Sequence, residues 1–115
     1  MQIILSGKAK LAQNSREGIY VLSNKKFNGL PVWEGNKNEN KSKTIRFEKE
    51  HGKSWYVGED GDRGSQWGGL AGPKDNDLFP HEIQNGWRYR HSGYLTDANQ
   101  GDVVFKIIGN TPIIK

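Results

Sequence analysis

The chain has 115 residues, and we expect a single domain over residues 1–115, because this length closes one hydrophobic core and is too short for two. Only 33% of the residues are hydrophobic and 15 are glycine, which favours short strands and many turns over long helices. The absence of cysteine excludes disulfides, thiolate zinc sites and cysteine nucleophiles. The net charge of +4 comes from residues 1–60, with eleven Lys/Arg against seven Asp/Glu, whereas residues 61–115 hold six of each.

The chain begins with a short apolar run. This run, Ile3 to Leu5, is ended by the polar segment Ser6-Gly7-Lys8, far short of a signal-peptide core or a membrane span. We therefore expect a soluble chain without an export signal.

Seven short runs with strand character follow one another, separated by clusters of turn residues, and no run has the length and period of a helix. Seven short strands in one small domain are typical of sandwiches and barrels. We therefore expect an all-β fold, a single small β-sandwich or barrel of about seven short antiparallel strands with a long packed glycine-rich loop. The predicted strands are Gln2–Leu5, Gly18–Leu22, Pro31–Glu34, Thr44–Glu48, Ser54–Gly58, Trp87–His91 and Asp102–Ile108.

Two of these strands have informative patterns. In Thr44–Glu48 the apolar Ile45 and Phe47 alternate with polar residues, which predicts a half-buried strand with its polar side chains in solvent. The last strand, Asp102–Ile108, is apolar on both faces except at Lys106, which predicts a central or covered strand.

The segments between the strands carry turn signals. Asn28-Gly29 predicts a tight turn, because both residues tolerate a positive φ. Residues 36–43, NKNENKSK, contain no apolar side chain and predict a mobile hairpin tip. The longest loop, residues 59–84, is rich in glycine but contains four large apolar residues, so we expect it to pack onto the sheet as a lid. These four are Trp67, Leu70, Leu78 and Phe79.

Several short motifs occur in a fixed order along the chain. They are Ser6-Gly7, Gly18-Ile19-Tyr20, NGLPVW from Asn28 to Trp33, WYVG from Trp55 to Gly58, a glycine-rich loop, PHEI from Pro80 to Ile83, and GWRY from Gly86 to Tyr89. The set resembles a small aromatic- and glycine-rich β module repeated in large eukaryotic multidomain proteins, particularly of algae, protists and marine invertebrates. The resemblance spans nearly the whole chain and implies a recognition or adhesion unit rather than an enzyme. Family copies often have W-x-Y-W-D-G where this chain has WRYRH, which argues against a ligand held by that aspartate.

The residues that catalysis needs form no recognised motif. Three histidines and four glutamates were considered: His51, His81, His91, Glu34, Glu48, Glu59 and Glu82. None of the histidines lies in a metalloprotease or serine-hydrolase motif, and loop or turn hydrogen bonding is favoured for each. A glycosidase needs two carboxylates about 5 to 9.5 Å apart, a distance that the sequence does not give, and solvated strand ends are favoured for the glutamates. We expect no catalytic residues.

Glu59-Asp60-Gly61-Asp62 places three carboxylates in a glycine-rich loop, the oxygen donors that calcium prefers. The twelfth position counted from Asp60 is Ala71 rather than a bidentate glutamate, and Arg63 lies inside the loop. The pattern therefore favours a solvated turn, and we expect no metal. Since the sequence has no glycine-rich phosphate loop, we expect no cofactor.

The aromatic stretch NGWRYRHSGY, Asn85 to Tyr94, is the strongest candidate for either a core or a ligand site. If Trp87–His91 is a strand, its alternation places Trp87 and Tyr89 with His91 on one face and both arginines on the other. One interpretation buries Trp87 and Tyr89 and leaves the arginines at the surface. The other exposes an aromatic platform beside His91 and Tyr94, on which a sugar ring or a base stacks.

Three kinds of partner fit a binding module. A carbohydrate is placed first, since flat aromatic rings and short polar side chains suit it and charge matters little; the predicted ligand-binding residues are Tyr94, His91, Trp67, Asn85, Asp97 and Asn28. A protein partner in adhesion or inhibition is the alternative, with tryptophan and arginine as anchors. Nucleic acid is disfavoured, because the lysines lie away from the aromatic stretch in sequence.

Overall fold

The computed structural model describes residues 2–6, 18–35, 41–62, 64, 69–91, 94–98 and 103–107. These residues form nine strands and two 3-10 turns, Asp60–Asp62 and Pro80–Glu82. The strands are β1 (Gln2–Ser6), β2 (Gly18–Phe27), β3 (Leu30–Gly35), β4 (Lys43–Glu48), β5 (Ser54–Glu59), β6 (Leu70–Ala71), β7 (Arg88–His91), β8 (Tyr94–Asp97) and β9 (Val104–Ile107). The predicted all-β class is confirmed, and all seven predicted strands are present. Within the described ranges, no helix has the length and apolar character needed to cross a membrane.

The strands form one antiparallel sheet in the order β8-β7-β6-β5-β4-β3-β2-β1-β9. Laid flat, nine strands would separate β8 from β9 by about 38 Å, at about 4.8 Å per neighbouring pair. The connection between the two strands, from Asp97 to Val104, spans at most about 25 Å when fully extended. The sheet must therefore curl, and its two ends meet around one core.

One continuous row of paired residues forms the core face of the sheet. The pairing runs across seven neighbouring strands through Leu22, Trp33, Ile45, Val57, Leu70, Tyr89 and Thr96. Trp33, Ile45, Val57 and Leu70 in this row are fully buried. Trp55 and Phe79 pack beside them, with ring centroids 5.8 and 6.3 Å from that of Trp33. Aromatic rings thus fill a core that is poor in aliphatic residues.

The predicted turn at Asn28-Gly29 is confirmed. Asn28 has φ 55° and Gly29 has φ 77°, and the two residues join the paired Phe27 and Leu30 as a two-residue hairpin loop. The Asn28 side-chain amide also donates a hydrogen bond to the Phe47 carbonyl oxygen at 2.9 Å. This side chain therefore supports the hairpin.

The sequence predicts a mobile hairpin tip over residues 36–43, and the structure differs from this prediction at the carboxyl end of the segment. Residues 36–40 lie outside the described part of the chain. Lys43 is the first residue of β4, is buried, and donates from Nζ to Glu59 Oε1 at 2.5 Å. A lysine can be buried along its alkyl stem when a carboxylate meets its ammonium group. The prediction was wrong for Lys43, because polarity alone does not reveal this partner.

The long loop packs onto the sheet in part, as predicted. Leu70 and Phe79 are buried, and Leu70 lies in β6, a strand too short to predict from alternation. Leu78 is 42% exposed, so the expected packing fails there, although its carbonyl oxygen accepts a hydrogen bond from Trp55 Nε1 at 2.7 Å. Trp67 lies outside the described residues.

Among the described strands, β9 lies at the end of the sheet order next to β1, so it is an edge strand rather than a central one. It is nevertheless covered on its core face: Val103 and Phe105 are buried, and the Phe105 ring lies 4.8 Å from that of Trp87. Lys106 is exposed on the other face. Of the two predicted positions for this strand, the covered one is therefore correct.

Candidate functional site

The outer face of β4 is buried, in contrast to the predicted half-buried strand. Thr44, Arg46 and Glu48 alternate with the core residues Ile45 and Phe47, yet all three polar residues are at most 2% exposed. Charged residues are almost never buried unless they are paired. The prediction of a solvent-facing polar side was therefore wrong, because it did not foresee what covers this face.

On this outer face Arg46 and Glu48 form a buried ion pair, and the chain after β5 contacts it through Gly64. Arg46 Nε donates to Glu48 Oε2 at 2.5 Å, and both side chains are essentially inaccessible. Arg46 Nη1 donates to the Glu59 carbonyl oxygen at 3.2 Å, while the Gly64 backbone N–H donates to Glu48 Oε2 at 3.0 Å. The ion pair thus fixes the position of the chain that follows β5.

The β4–β5 turn, residues 49–53, builds one wall of a cavity on this outer face. Gly52 and Lys53 both have positive φ, 82° and 49°, which turns the chain back over the sheet. His51 Nε2 lies 3.0 Å from the Gly64 carbonyl oxygen, so it acts as the donor. The Gly52 carbonyl oxygen accepts a hydrogen bond from the Asp75 backbone N–H at 2.9 Å. The turn is therefore held from both sides.

Pairing across four strands places two of the residues that line this cavity on the same face of the sheet. Arg46 pairs with Tyr56, Tyr56 with Ala71, and Ala71 with Arg88. Directly paired residues of antiparallel strands lie on the same face, so Tyr56 and Arg88 both lie on the outer face. Arg90 lies on this face too, two residues further along β7, with its Cα about 6.6 Å away.

We call the resulting space the cationic cavity. It has a volume of about 370 Å³, and the described residues that line it are Glu50, His51, Gly52, Tyr56, Lys74, Arg88, Arg90, Tyr94 and Leu95. Three of these side chains are cationic and one is a carboxylate. The volume lies within the range of small-molecule sites, about 300 to 1,000 Å³.

The hydrogen bonds and contacts around the cavity hold two of its cations in place. Arg88 Nη2 donates to the Gly72 carbonyl oxygen at 2.6 Å, and the adjacent Gly72 N–H donates to the Trp55 carbonyl oxygen at 2.7 Å. The Lys74 stem packs so closely against Gly52 that an added Cβ at Gly52 would lie 3.1 Å from Lys74 Cγ. The cations on both sides of the cavity are thereby tied to the backbone.

Two other concave surfaces differ in chemistry. A groove of about 400 Å³ is lined by Leu30, Phe47, Trp55, Asn76, Asp77, Leu78 and Phe79, and most of these side chains are apolar. A third concave surface, of about 570 Å³, is lined by the polar residues Ser23, Asn24, Lys25, Glu34 and Asp60. Among the described lining residues, only those of the cationic cavity combine aromatic rings with several charged groups.

The structure brings few of the predicted ligand-binding residues together. Tyr94 lines the cationic cavity with its side chain 78% exposed, and His91 is its direct partner in the β7–β8 ladder. Asp97 is exposed at the far end of β8, and Asn85 is exposed in the loop before β7. The remaining two are Asn28, whose amide binds the Phe47 carbonyl oxygen, and Trp67, which lies outside the described residues.

The aromatic stretch divides as the first interpretation predicts. Trp87 is buried and donates from Nε1 to the Ile83 carbonyl oxygen at 3.3 Å, while Tyr89 is partly buried against the core. Arg88 and Arg90 lie on the opposite face but are half-buried. They line the same cavity as Tyr94, so the arginines and this exposed ring belong to one site, which their spacing in the sequence did not indicate.

The structure also places the candidate catalytic side chains. Glu48 is buried against Arg46, Glu59 accepts from Lys43, and Glu82 Oε1 accepts from the Phe79 backbone N–H at 2.8 Å. Glu34 is exposed. Each of the first three carboxylates thus has a structural partner.

His81 stacks on Phe79, with ring centroids 6.0 Å apart. Burial lowers the pKa of His81 below its usual value of 6.5, and the nearby Glu82 carboxylate partly opposes this shift. Among the described residues, none hydrogen bonds to the buried Nδ1 atom of His81. The fold therefore favours the neutral form of this histidine.

In the described ranges, no group of three or more His, Cys, Asp or Glu side chains is placed to hold a metal ion. Asp60–Asp62 forms a 3-10 turn, and Asp60 N donates to the Ser42 carbonyl oxygen at 2.8 Å. The backbone of this segment is therefore anchored to the start of β4.

No protein-family model matches the sequence, and comparisons with curated proteins and with solved structures find no match. The residues of the cationic cavity are therefore the basis for the function proposed below.

Sequence reasoning missed Lys74, Glu50 and Tyr56 as site residues and considered Arg88 and Arg90 only as protein anchors. The row from Tyr56 to Arg88 passes through β6, a strand of two residues. No periodicity reveals so short a strand. A signal was present in the alternation of arginines in WRYRH, which places two cations on one face.

Proposed function

We propose that this domain is a non-enzymatic binding module whose ligand is a carbohydrate held in the cationic cavity. The observation that carries the proposal is the exposed ring of Tyr94 at a concave, polar cavity. A sugar ring has an apolar C–H face and a rim of hydroxyl groups. Stacking on an aromatic ring removes the apolar face from water, and polar side chains form hydrogen bonds with the hydroxyl groups; both stabilise the complex.

The polar groups of the cavity suit hydroxyl recognition. Glu50 supplies a carboxylate acceptor, while Arg88 and Arg90 supply guanidinium donors in a fixed planar arrangement. Tyr56 also lines the cavity, and its hydroxyl donates to the His51 carbonyl oxygen at 3.4 Å. A ligand with both donors and acceptors on one ring fits this mixture.

The size of the cavity favours a compact ligand over a protein surface. A stable protein interface buries about 800 Å² on each partner, whereas a cavity of about 370 Å³ accepts a small molecule or the end of an oligosaccharide. The structural partners of Glu48, Glu59 and Glu82 support the non-enzymatic part of the proposal, since carboxylates engaged in this way are poor candidates for acid–base chemistry.

A protein partner is the second candidate. Tyrosine and arginine dominate interface hot spots, and Tyr94, Arg88 and Arg90 line the same cavity. The resemblance to a repeated recognition or adhesion module is compatible with either candidate.

A glycan array at physiological salt tests the proposal. We expect a group of related glycans to bind the wild-type domain, and titration calorimetry of the best of them should give one site per chain. Failure to bind any glycan class on the array, repeated with the domain presented at high valency, would contradict the carbohydrate assignment.

A further inference from the structure

The described side chains that line the cationic cavity carry more positive than negative charge. Arg88 and Arg90 lie on β7, whereas Glu50 and His51 lie on the β4–β5 turn. Lys74, whose stem packs against Gly52 of this turn, adds a third cation to the lining. A ligand in this cavity therefore meets two guanidinium groups on the β7 side and both a lysine and a carboxylate on the side of the turn.

A neutral sugar does not need three cations. Hydroxyl groups are recognised by amides, hydroxyls and single carboxylates, and placing several cations around a small cavity costs energy through their mutual repulsion. An anion bound between them relieves that repulsion and gains charge-assisted hydrogen bonds, which are about twice as strong as neutral ones. The lining thus favours a ligand that carries its own negative charge.

We propose that the cationic cavity selects an anionic sugar, one bearing a carboxylate or a sulfate ester, and that Arg90 and Lys74 bind its anionic group. This inference rests on the proposed carbohydrate-binding function and names the chemical class of the ligand. Arg88 positions the site, since its Nη2 donates to the Gly72 carbonyl oxygen. Glu50, on the turn, accepts hydrogen bonds from the sugar hydroxyls.

The carboxylate of Glu50 also disfavours a ligand that carries negative charge throughout. A uniformly anionic polymer would bring a charge against Glu50, whereas a sugar with one anionic group and free hydroxyls would not. We therefore expect discrimination between an acidic sugar and its neutral ester, and not only a general affinity for polyanions.

The experiment uses the full chain and pairs of monosaccharides in which one member carries a single anionic group and the other is neutral. Methyl galacturonoside and its methyl ester are titrated in parallel at 150 mM salt, together with a monosulfated methyl galactoside and its unsulfated form. We expect at least one acidic member to bind about tenfold more tightly than its neutral partner, the effect of one charge-assisted hydrogen bond. The pair that responds identifies the anionic group as carboxylate or sulfate.

Two variants test the residues, and a third controls for net charge. Arg90→Gln and Lys74→Gln should each weaken binding of the acidic sugar about tenfold and binding of its neutral partner less, so that the preference for the acidic sugar falls in both variants. Lys26→Gln removes the same charge from an exposed position on β2, outside the cavity lining, and should change neither. Circular dichroism and thermal melting establish that each variant is folded.

The outcomes separate this inference from the proposed function. Equal affinity for the acidic and neutral sugars, unchanged in Arg90→Gln and Lys74→Gln, would overturn the anionic selectivity while leaving carbohydrate binding intact. An equal loss of affinity in Lys26→Gln would also overturn it, since the attraction would then come from net charge. Tighter binding of poly-L-glutamate than of any sugar would instead overturn the carbohydrate assignment and favour an acidic protein partner.

Discussion

The indole ring of Trp87 and the phenyl ring of Phe105 lie 4.8 Å apart between their centroids, and they join the two ends of the curled sheet. Trp87 directly precedes β7, near one end of the strand order, and Phe105 lies in β9 at the other. β7 also carries Arg88 and Arg90, which line the cationic cavity on the opposite face. The same short segment thus closes the core and presents the site.

Replacing Trp87 should therefore damage the fold. Trp87→Ala removes a buried ring that touches Phe105 and lies 3.5 Å from the position of a Cβ at Gly72. We expect a loss of about 3 to 5 kcal/mol in the free energy of unfolding, the usual cost of a large buried aromatic residue. Urea denaturation followed by circular dichroism measures it. A loss below about 1 kcal/mol would show that the two ends of the sheet do not depend on this contact.

The buried pair Arg46–Glu48 provides a second test, of the outer layer. Glu48→Leu leaves the buried guanidinium of Arg46 without its carboxylate and should cost about 3 to 5 kcal/mol. The double variant Arg46→Met/Glu48→Leu replaces both charges with apolar groups and should recover most of that loss. Equilibrium unfolding of the two variants in parallel gives the comparison. Equal destabilisation of the single and double variants would mean that packing, rather than the unpaired charge, sets the cost.

Part of this architecture follows from the sequence, because its signals are local. Alternating residues predicted the strand Thr44–Glu48, and Asn28-Gly29 predicted the hairpin whose residues both have positive φ. The burial of Trp87 followed from the assignment of its strand and face. Each of these inferences needs only a few neighbouring residues.

The remaining features depend on residues distant in sequence. Glu48 is buried because Gly64 and Arg46 meet it over the outer face, and no local pattern reports that cover. The cationic cavity depends on β6, whose two residues align Tyr56 with Arg88. Tertiary contacts set the register in which so short a strand pairs with its neighbours. The sequence therefore could not predict that the residues lining the cavity meet.

Asn28 distinguishes a structural role from the predicted ligand-binding role. Its φ of 55° is costly for most side chains, and its amide binds the Phe47 carbonyl oxygen. Asn28→Ala should lower the free energy of unfolding by about 1 to 2 kcal/mol, the strain of a left-handed conformation in a residue with a Cβ atom. Asn28→Gly relieves that strain and should lose less. In both variants we expect the glycan affinity measured by calorimetry to be unchanged. Weakened glycan binding in a stably folded Asn28→Gly variant would show instead that Asn28 is a ligand-binding residue.

His81 should make stability depend on pH. Because burial lowers its pKa in the folded protein, the unfolded chain binds a proton more readily than the folded one. Its contribution is fully present above the unfolded pKa of 6.5 and is lost as the pH falls from there toward the lower folded pKa. Urea midpoints should therefore fall on acidification below pH 6.5, and less steeply in His81→Gln, whose amide does not titrate. Parallel curves for the two proteins would exclude this histidine as the cause.

A substitution at Tyr94 should change ligand binding without changing the stability of the fold. Its side chain is 78% exposed on the edge strand β8, so Tyr94→Ala removes little buried surface and should leave the melting temperature nearly unchanged. If a sugar stacks on this ring, the same variant should weaken glycan binding by about 1 to 3 kcal/mol, the range for losing one stacking platform on a nucleic-acid base, applied here by analogy. Tyr94→Phe keeps the flat ring and should retain most of the affinity. Calorimetry with the best glycan measures all three proteins. If Tyr94→Ala binds the glycan as well as the wild type does, stacking on this ring is not part of recognition.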